Sequence, residues 1–236
     1  MVTKEQLRNQ LDQRQDRQHD VTGAGKLAET LRRAHVYREA KQIFGDPGPL
    51  LAQIRVNSLL DGKQLIMPSP GLRDGYYLLE PYVISFRDLS YATTFKGLAK
   101  FGRRLSDSDQ KGLAVDLFIT APQAIGRKGG WVGDGLGFFD LTVAAFAAIG
   151  GISRAASVCI AAGPGTLFDD DFSLDPWDVE ADWLLTENGL VETGVKRQDW
   201  PPVFWDRLPK RRIRKITPLW KLYLAGKDAG TLPELL

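Results

Sequence analysis

The stretch that most constrains the fold is Ala114–Thr120, with Val115-Asp116-Leu117-Phe118-Ile119-Thr120 at its heart, which leads into the glycine-rich segment Gly126–Asp140, GRKGGWVGDGLGFFD. A short run dominated by apolar, β-branched and aromatic residues reads as a strand buried on both faces. Beyond the glycines, Leu141–Ile149 is apolar and alanine-rich enough for a buried helix, and Ala156–Ala162 and Trp183–Thr186 read as further strands. Strand, turn, helix, strand, strand is the order of a largely parallel sheet with helices on both faces. Sheets of that kind take ligands in the crevice beyond the carboxyl ends of their strands. The turn at 126–140 falls at such an end.

The same alternation of element types extends upstream. Residues 3–43 carry many Lys, Arg, Glu and Gln, and Leu27, Leu31, Ala34 and Val36 stand near helical spacing, so this region reads as two helices broken at Val21–Gly25. Gly45–Pro49 breaks the chain, Leu50–Leu60 reads as an amphipathic helix ending at Asp61-Gly62, and Gln64–Met67 reads as a short strand stopped by Pro68. Tyr76–Ile84 holds a further candidate strand. The expectation is a three-layer α/β/α sandwich over residues 1–197, followed from Gln198 by an extension, residues 198–236, packed on the same domain. That extension is rich in proline, carries Trp200, Trp205 and Trp220, and has a run from Lys210 to Lys215 that is basic except for Ile213.

Composition removes several function classes. With 31 Lys and Arg against 29 Asp and Glu, the formal charge is +2, so no global field marks a nucleic-acid or membrane-surface binder. Nucleic acid is therefore not an expected partner, although the basic run interleaved with tryptophans leaves a local anion contact open. One cysteine, Cys159, excludes an intramolecular disulfide and a cysteine-based zinc site, and its setting, SVCIAA, is that of packing. Two histidines exclude a histidine-rich metal site. No apolar run reaches the roughly 18 residues that span a bilayer, and neither a signal peptide nor a membrane helix is visible, so the expected location is cytoplasmic.

Gly133, Gly135 and Gly137 alternate, which lets backbone N–H groups approach an anion while the following helix adds its positive end. The spacing matches neither GxGxxG nor GxxxxGK[ST], and a strand-to-helix turn is equally often only a tight turn. Lys4 and Arg8, one helical turn apart, fit either a binding face or a solvated one. Asp178 and Asp182, before a strand, read first as capping or turn residues.

Taken together, the segments Asp116–Pro122 and Gly129–Asp140 resemble the signature of the 5-formyltetrahydrofolate cyclo-ligase (methenyltetrahydrofolate synthetase) family, a strand ending DLxxxP followed by a glycine-rich turn and an aspartate. Lys4-Glu5-Gln6-Leu7-Arg8, Gly62-Lys63 with Met67-Pro68, and Asp178-Val179-Glu180-Ala181-Asp182 match further family motifs in the same order. The tryptophan in the turn and PSPGLRDGYY after the strand are more similar to the divergent branch called methenyltetrahydrofolate synthetase domain-containing proteins.

The resemblance implies ATP and magnesium as cofactors and a small N-formyl substrate. Lys4, Arg8, Arg127, Lys128, Gly133, Asp134, Gly135, Leu136 and Gly137 would face the nucleotide, and Met67, Pro68, Tyr76, Tyr77 and Phe138 the substrate. Asp140, Phe139 and Trp131 would stand at the catalytic end, with Asp140 also holding the metal. Several positions depart from the family: Asp134 and Leu136 replace basic residues, Trp131 replaces an arginine, Phe138-Phe139 replace tyrosines, and a substrate-side glutamate is absent from Gly48–Gln53. Two functions fit. One is cyclodehydration of an N-formyl compound, either 5-formyltetrahydrofolate or an N-formyl amide closed to an oxazole-type ring. The other is a degenerate nucleotide- or folate-binding protein, RNA-associated through its tail.

Overall fold

The computed structural model describes residues 4, 7–8, 21–106, 108–126, 129–168, 172 and 174–232, with backbone alone at 110 and 111. The strands in chain order are β1 (Gln42–Gly45), β2 (Gln64–Pro68), β3 (Tyr76–Leu79), β4 (Arg103–Arg104), β5 (Val115–Thr120), β6 (Ala124–Ile125), β7 (Trp131–Val132), β8 (Ile152–Ala161), β9 (Trp183–Thr186) and β10 (Gly189–Glu192). Eight of them form one sheet in the order β10-β9-β8-β5-β1-β2-β3-β4, while β6 and β7 pair separately as a hairpin at the entry to the glycine-rich segment. The five central strands are parallel, and antiparallel pairing appears only at the two edges.

Helices cover both faces, as the α/β/α expectation requires. On one face α1 (Ala24–Arg33), α2 (His35–Glu39), α3 (Ala52–Leu60) and the turn Pro49–Leu51 before it bury Leu27, Leu31, Tyr37, Leu51 and Ile54 against Ile43, Leu117, Ile119 and Cys159. Toward β2 and β3 that layer continues through α4 (Leu89–Ala92) and α5 (Phe95–Phe101), which enclose Leu65, Met67 and Leu79. On the opposite face α6 (Phe138–Ala148), α7 (Lys210–Lys215) and α8 (Thr217–Asp228) cover Phe44, Ile66, Phe118, Val158 and Ile160. Successive residues of a strand point to opposite faces, so Ile43 and Phe44, or Leu117 and Phe118, supply two different cores.

One sequence expectation fails at the centre of the molecule. Residues 42–43 continue the helical reading of 3–43, yet Gln42–Gly45 is β1, the strand to which both β2 and β5 pair. Four residues are too few to display a period of two, and tertiary pairing decides their state. The candidate strand Tyr76–Ile84 is likewise cut short: β3 ends at Leu79, just before Pro81, which has no N–H to offer a ladder. Helix α6 begins three residues earlier than expected, immediately after the last glycine of the turn. Most of the N-terminal helical region before Val21 lies outside the described residues.

The residues from Gln198 onward close one face of the sheet. Trp200 packs on Phe118 at 6.1 Å between ring centroids, the Arg197 guanidinium lies 4.0 Å over Trp200, and Trp220 stacks on Tyr223 at 5.7 Å. Ile213, the one apolar residue of the basic run, is fully buried, as are Ile216 and Leu219. Among the described residues no helix is long and apolar enough to cross a membrane.

Phe44 touches Tyr76, Phe118, Phe139 and Phe146 at 5.8–6.3 Å and is the hub of the aromatic core. Its replacement by alanine removes those contacts and leaves a cavity, so Phe44→Ala is expected to lower unfolding free energy by about 3–5 kcal/mol, read from urea denaturation against the wild type.

Candidate active site

From β1 the chain winds one way, through β2 to β3, and from β5 the other way, through β8 to β9. The divide between β1 and β5 is the topological switch point of the sheet, where the loops leaving the two strands part and leave a crevice. Asp46 follows the last residue of β1 and Thr120 ends β5, and the Thr120 hydroxyl donates to Asp46 Oδ2 at 2.6 Å. Arg55 on α3 fixes the same corner by donating through Nη1 to the carbonyls of Asp46 and Gly48 at 2.7 and 2.8 Å. Above this corner opens a cavity of about 1140 Å³.

The glycine-rich turn forms one wall. Gly135 and Gly137 have φ of +81° and +60°, a left-handed backbone that side chains rarely adopt. A Cβ on Gly135 would lie 3.3 Å from Arg8 Cδ, and one on Gly137 would lie 3.9 Å from Asp140 Oδ2 and 4.0 Å from Arg212 Nη2. The turn is therefore threaded between Arg8 on one side and Asp140 with Arg212 on the other. Gly137 precedes α6, whose opening leaves its first N–H groups without intrahelical acceptors beside the cavity.

Lys4 and Arg8 both line the cavity. Arg8 Nε donates to the Gly133 carbonyl at 3.1 Å, and the Lys4 ammonium pairs with Asp178, whose Oδ2 also accepts the Asp175 N–H. Asp182 is structural, since its carboxylate accepts the Val158 N–H at 2.7 Å and Arg197 at 3.0 Å. Of the DVxxD pair, then, one aspartate lines the cavity and the other ties β8 to Arg197. Asp134, the departure that most weakens an anion cradle, accepts the Leu136 N–H at 2.8 Å and so closes the turn on itself. Leu136 is exposed on the lip. Arg127 and Lys128 lie outside the described residues.

Trp131 and Phe139 are walls. The indole N–H of Trp131 donates to the Val179 carbonyl at 2.8 Å, and its ring meets Phe139 edge-on at 5.7 Å, so neither residue offers a free polar group to a ligand. Phe138 and Pro68 also line the cavity. Met67, Tyr76 and Tyr77 do not. Met67 points into the core beneath α4 and α5, Tyr76 is enclosed by Phe44 and Phe146, and Tyr77 packs on the α5 side, because the alternation of β2 and β3 turns them from the crevice. In their place the loop after β2 presents Ser69, Gly71 and Leu72. Leu72 is buried at φ +56°, a strained backbone of the kind that gathers at binding sites.

Two carboxyls at the floor are held up at about 6. For Asp46, burial is the main cause and the charge of Asp134 adds to it, while the Thr120 hydrogen bond opposes both. For Asp140, burial again dominates, opposed by the Val179 N–H that donates to Oδ1 at 2.9 Å. Among the described residues no group of three or more His, Cys, Asp and Glu is gathered around one point. A magnesium ion at Asp140 would thus draw its remaining donors from ligand phosphates and water, which is how that ion is commonly held.

Sequence reasoning missed Asp46, Thr120 and Arg207, and did not single out Arg212 within the basic run. Asp46 was hidden with β1; its legible signal is an aspartate followed by Pro-Gly-Pro after a short apolar pair. Trp177 meets Phe204 edge-on at 5.9 Å, and the Arg207 guanidinium lies 5.3 Å over Trp177, so the tail supplies part of the rim.

The sequence profile of the 5-formyltetrahydrofolate cyclo-ligase family matches residues 1–187. Methenyltetrahydrofolate synthase domain-containing proteins of Danio rerio and Homo sapiens are each 24% identical over 211 residues, 88% of this chain and 55% of theirs. The chain therefore spans about half the length of these curated relatives. The fold is shared with the 5,10-methenyltetrahydrofolate synthetase of Aquifex aeolicus, at TM-score 0.51 and 16% identity over 84% of this chain and 96% of that one.

The raised carboxyl of Asp46 predicts a pH signature. A carboxyl whose folded pKa lies near 6 rather than 3.8 stabilises the fold fully below the unfolded value and loses that contribution as pH rises through about 6. The loss amounts to at most about 3 kcal/mol, and less where water reaches the group. Asp46→Asn is expected to flatten the stability profile between pH 4 and 7 and to melt higher than the wild type at pH 7, by calorimetry; equal melting at both ends would contradict the burial argument. The length of the match and the order of its motifs lead to one conclusion: this chain belongs to the 5-formyltetrahydrofolate cyclo-ligase family.

Proposed function

We propose that the protein catalyses the ATP- and magnesium-dependent ring closure of an N-formyl compound, with 5-formyltetrahydrofolate, giving 5,10-methenyltetrahydrofolate, as the first substrate to test. The reading is carried by one observation: the glycine turn, the cations Lys4 and Arg8, and the start of α6 converge on a cavity at the switch point of a parallel sheet. That set fits a triphosphate, for which it provides charge, close backbone and unsatisfied N–H groups. The volume exceeds the upper end of about 1,000 Å³ for a single small-molecule pocket, which leaves room for a nucleotide and a second molecule together.

ATP with magnesium supplies the phosphoryl group that converts the formyl oxygen into a leaving group; a neighbouring nucleophile then closes on the formyl carbon and phosphate departs. The chain's own residues do the rest. Arg8 and Lys4 hold anionic oxygens against the turn, and Asp140, with one carboxyl oxygen engaged by Val179, keeps the other facing Gly137. Trp131, Phe138, Phe139, Trp177 and Phe204 exclude water from the reacting carbon and present flat surfaces to a planar heterocycle. Asp46, neutral below about pH 6, is placed to accept or donate a proton at the cavity floor.

The same chemistry serves any N-formyl amide with an internal nucleophile, so an oxazole-type product is the alternative outcome for a pocket that lacks the family's glutamate. A second reading, binding without turnover, draws on Asp134, which stands at the turn where the family carries a basic residue.

Protein mixed with ATP, magnesium and 5-formyltetrahydrofolate is expected to give the methenyl absorbance; ATP binding without product supports the second reading. Lys4→Ala and Arg8→Ala should each weaken ATP binding by about tenfold or more, the equivalent of one charge-assisted hydrogen bond. Unchanged affinity by calorimetry would remove the nucleotide from this turn.

A further inference from the structure

Beside the main cavity lies a smaller one of about 310 Å³, between the loop after β2, the start of α6 and the helix α7. Arg73, Arg211, Arg212 and Lys215 line it around the apolar surface of Phe138 and Ile216, and no carboxylate is among its lining residues. Four cations facing one depression repel one another, and the potential they sum to attracts anions. The depression is a fixed feature of the fold. Ile216 beneath it is buried, and the Thr217 hydroxyl donates to the Arg73 carbonyl, which ties the loop after β2 to the start of α8.

Arg212 joins this depression to the main cavity, for it lines both, and Gly71 and Phe138 are shared as well. Its guanidinium lies 5.7 Å from the centroid of the Phe138 ring, and its Nη2 is buried without a hydrogen-bond partner. A buried guanidinium N–H with no acceptor is uncommon and costly, and an anion seated beside it would supply the acceptor. Arg211, Arg212 and Lys215 fall outside residues 1–187, the part that matches the family's profile, so this chemistry is added by the C-terminal segment.

We propose that the depression is an anion subsite built by the C-terminal segment, and that it takes a phosphate- or carboxylate-bearing arm of the molecule in the main cavity. The link to a molecule in the main cavity rests on the proposed function, whereas the affinity for anions follows from the lining residues. The volume suits one or two such groups, and the fork of Arg212 suits their planar or tetrahedral oxygens.

The test is calorimetric titration of the full chain with two probes, pyrophosphate and tricarballylate, in wild type, Arg8→Ala and the double variant Arg211→Glu, Lys215→Glu. At least one probe should bind the wild type, weaken about tenfold or more in the double variant, and weaken steeply with added salt. It should lose little affinity in Arg8→Ala. Pyrophosphate alone indicates a phosphate arm, and tricarballylate alone a carboxylate arm. Arg211 and Lys215 are exposed, so melting temperature should report an intact fold, and the milder Arg211→Gln, Lys215→Gln protein should give an intermediate loss. Binding that disappears in Arg8→Ala but survives the charge reversal would place the anion in the glycine turn and overturn the proposal. Failure of both probes to bind more tightly than about 10 mM would overturn it as well. If ATP does not bind the wild type while the probes still respond to the charge reversal, the nucleotide reading falls and the subsite stands.

Discussion

Everything about the site depends on the pairing of β1 with β5 and on the Thr120–Asp46 hydrogen bond that closes its carboxyl end. Two parallel strands that part in opposite directions cannot be covered by a single connecting loop, so their ends remain open to a ligand. Arg55 braces this corner through the carbonyls of Asp46 and Gly48. The backbone carbonyls there are satisfied by a buried side chain. The cost is a carboxyl whose pKa is raised to about 6 by its burial.

Charge in the cavity is divided by position. Cations come from the N-terminal helical residues Lys4 and Arg8 and from the tail residues Arg207 and Arg212; of the carboxylates, Asp46 and Asp140 sit on the sheet floor and the first turn of α6, Asp134 lies in the glycine turn, and Asp175 and Asp178 stand beside Lys4. Asp134 looks repulsive in the sequence. In the structure its side chain caps the Leu136 N–H, and its charge works against the burial that lowers the Arg212 pKa, so it both shapes the turn and steadies a cation.

The tail makes the pocket deeper than the sheet alone would. Pro202, Val203, Phe204, Arg207 and Leu208 add one wall, and the buried Ile213, Ile216 and Leu219 anchor it to the same core that Phe44 and Phe118 fill. The basic run owes its shape to this anchoring. One face of α7 is fastened through Ile213, and the three arginines and two lysines around it are left to face solvent or the two cavities.

The sequence by itself determined the class of fold, the strand, turn and helix read over 114–149, the solvent-free setting of Cys159 and the family motifs. These rest on local periodicity, glycine spacing and residue type, which tertiary packing modifies little. It did not reveal β1, because four residues carry no period, nor the turning of Met67, Tyr76 and Tyr77 into the cores, because which face of a strand meets the crevice depends on register with its neighbours. Lys4 and Arg8 were legible as candidates but indistinguishable from a solvated face until Asp178 and the Gly133 carbonyl appeared beside them. Only the tertiary structure decided that the tail folds back over the pocket and that Asp46 stands on its floor. Both are contacts between residues far apart in the chain, and such contacts exist only once the sheet has formed.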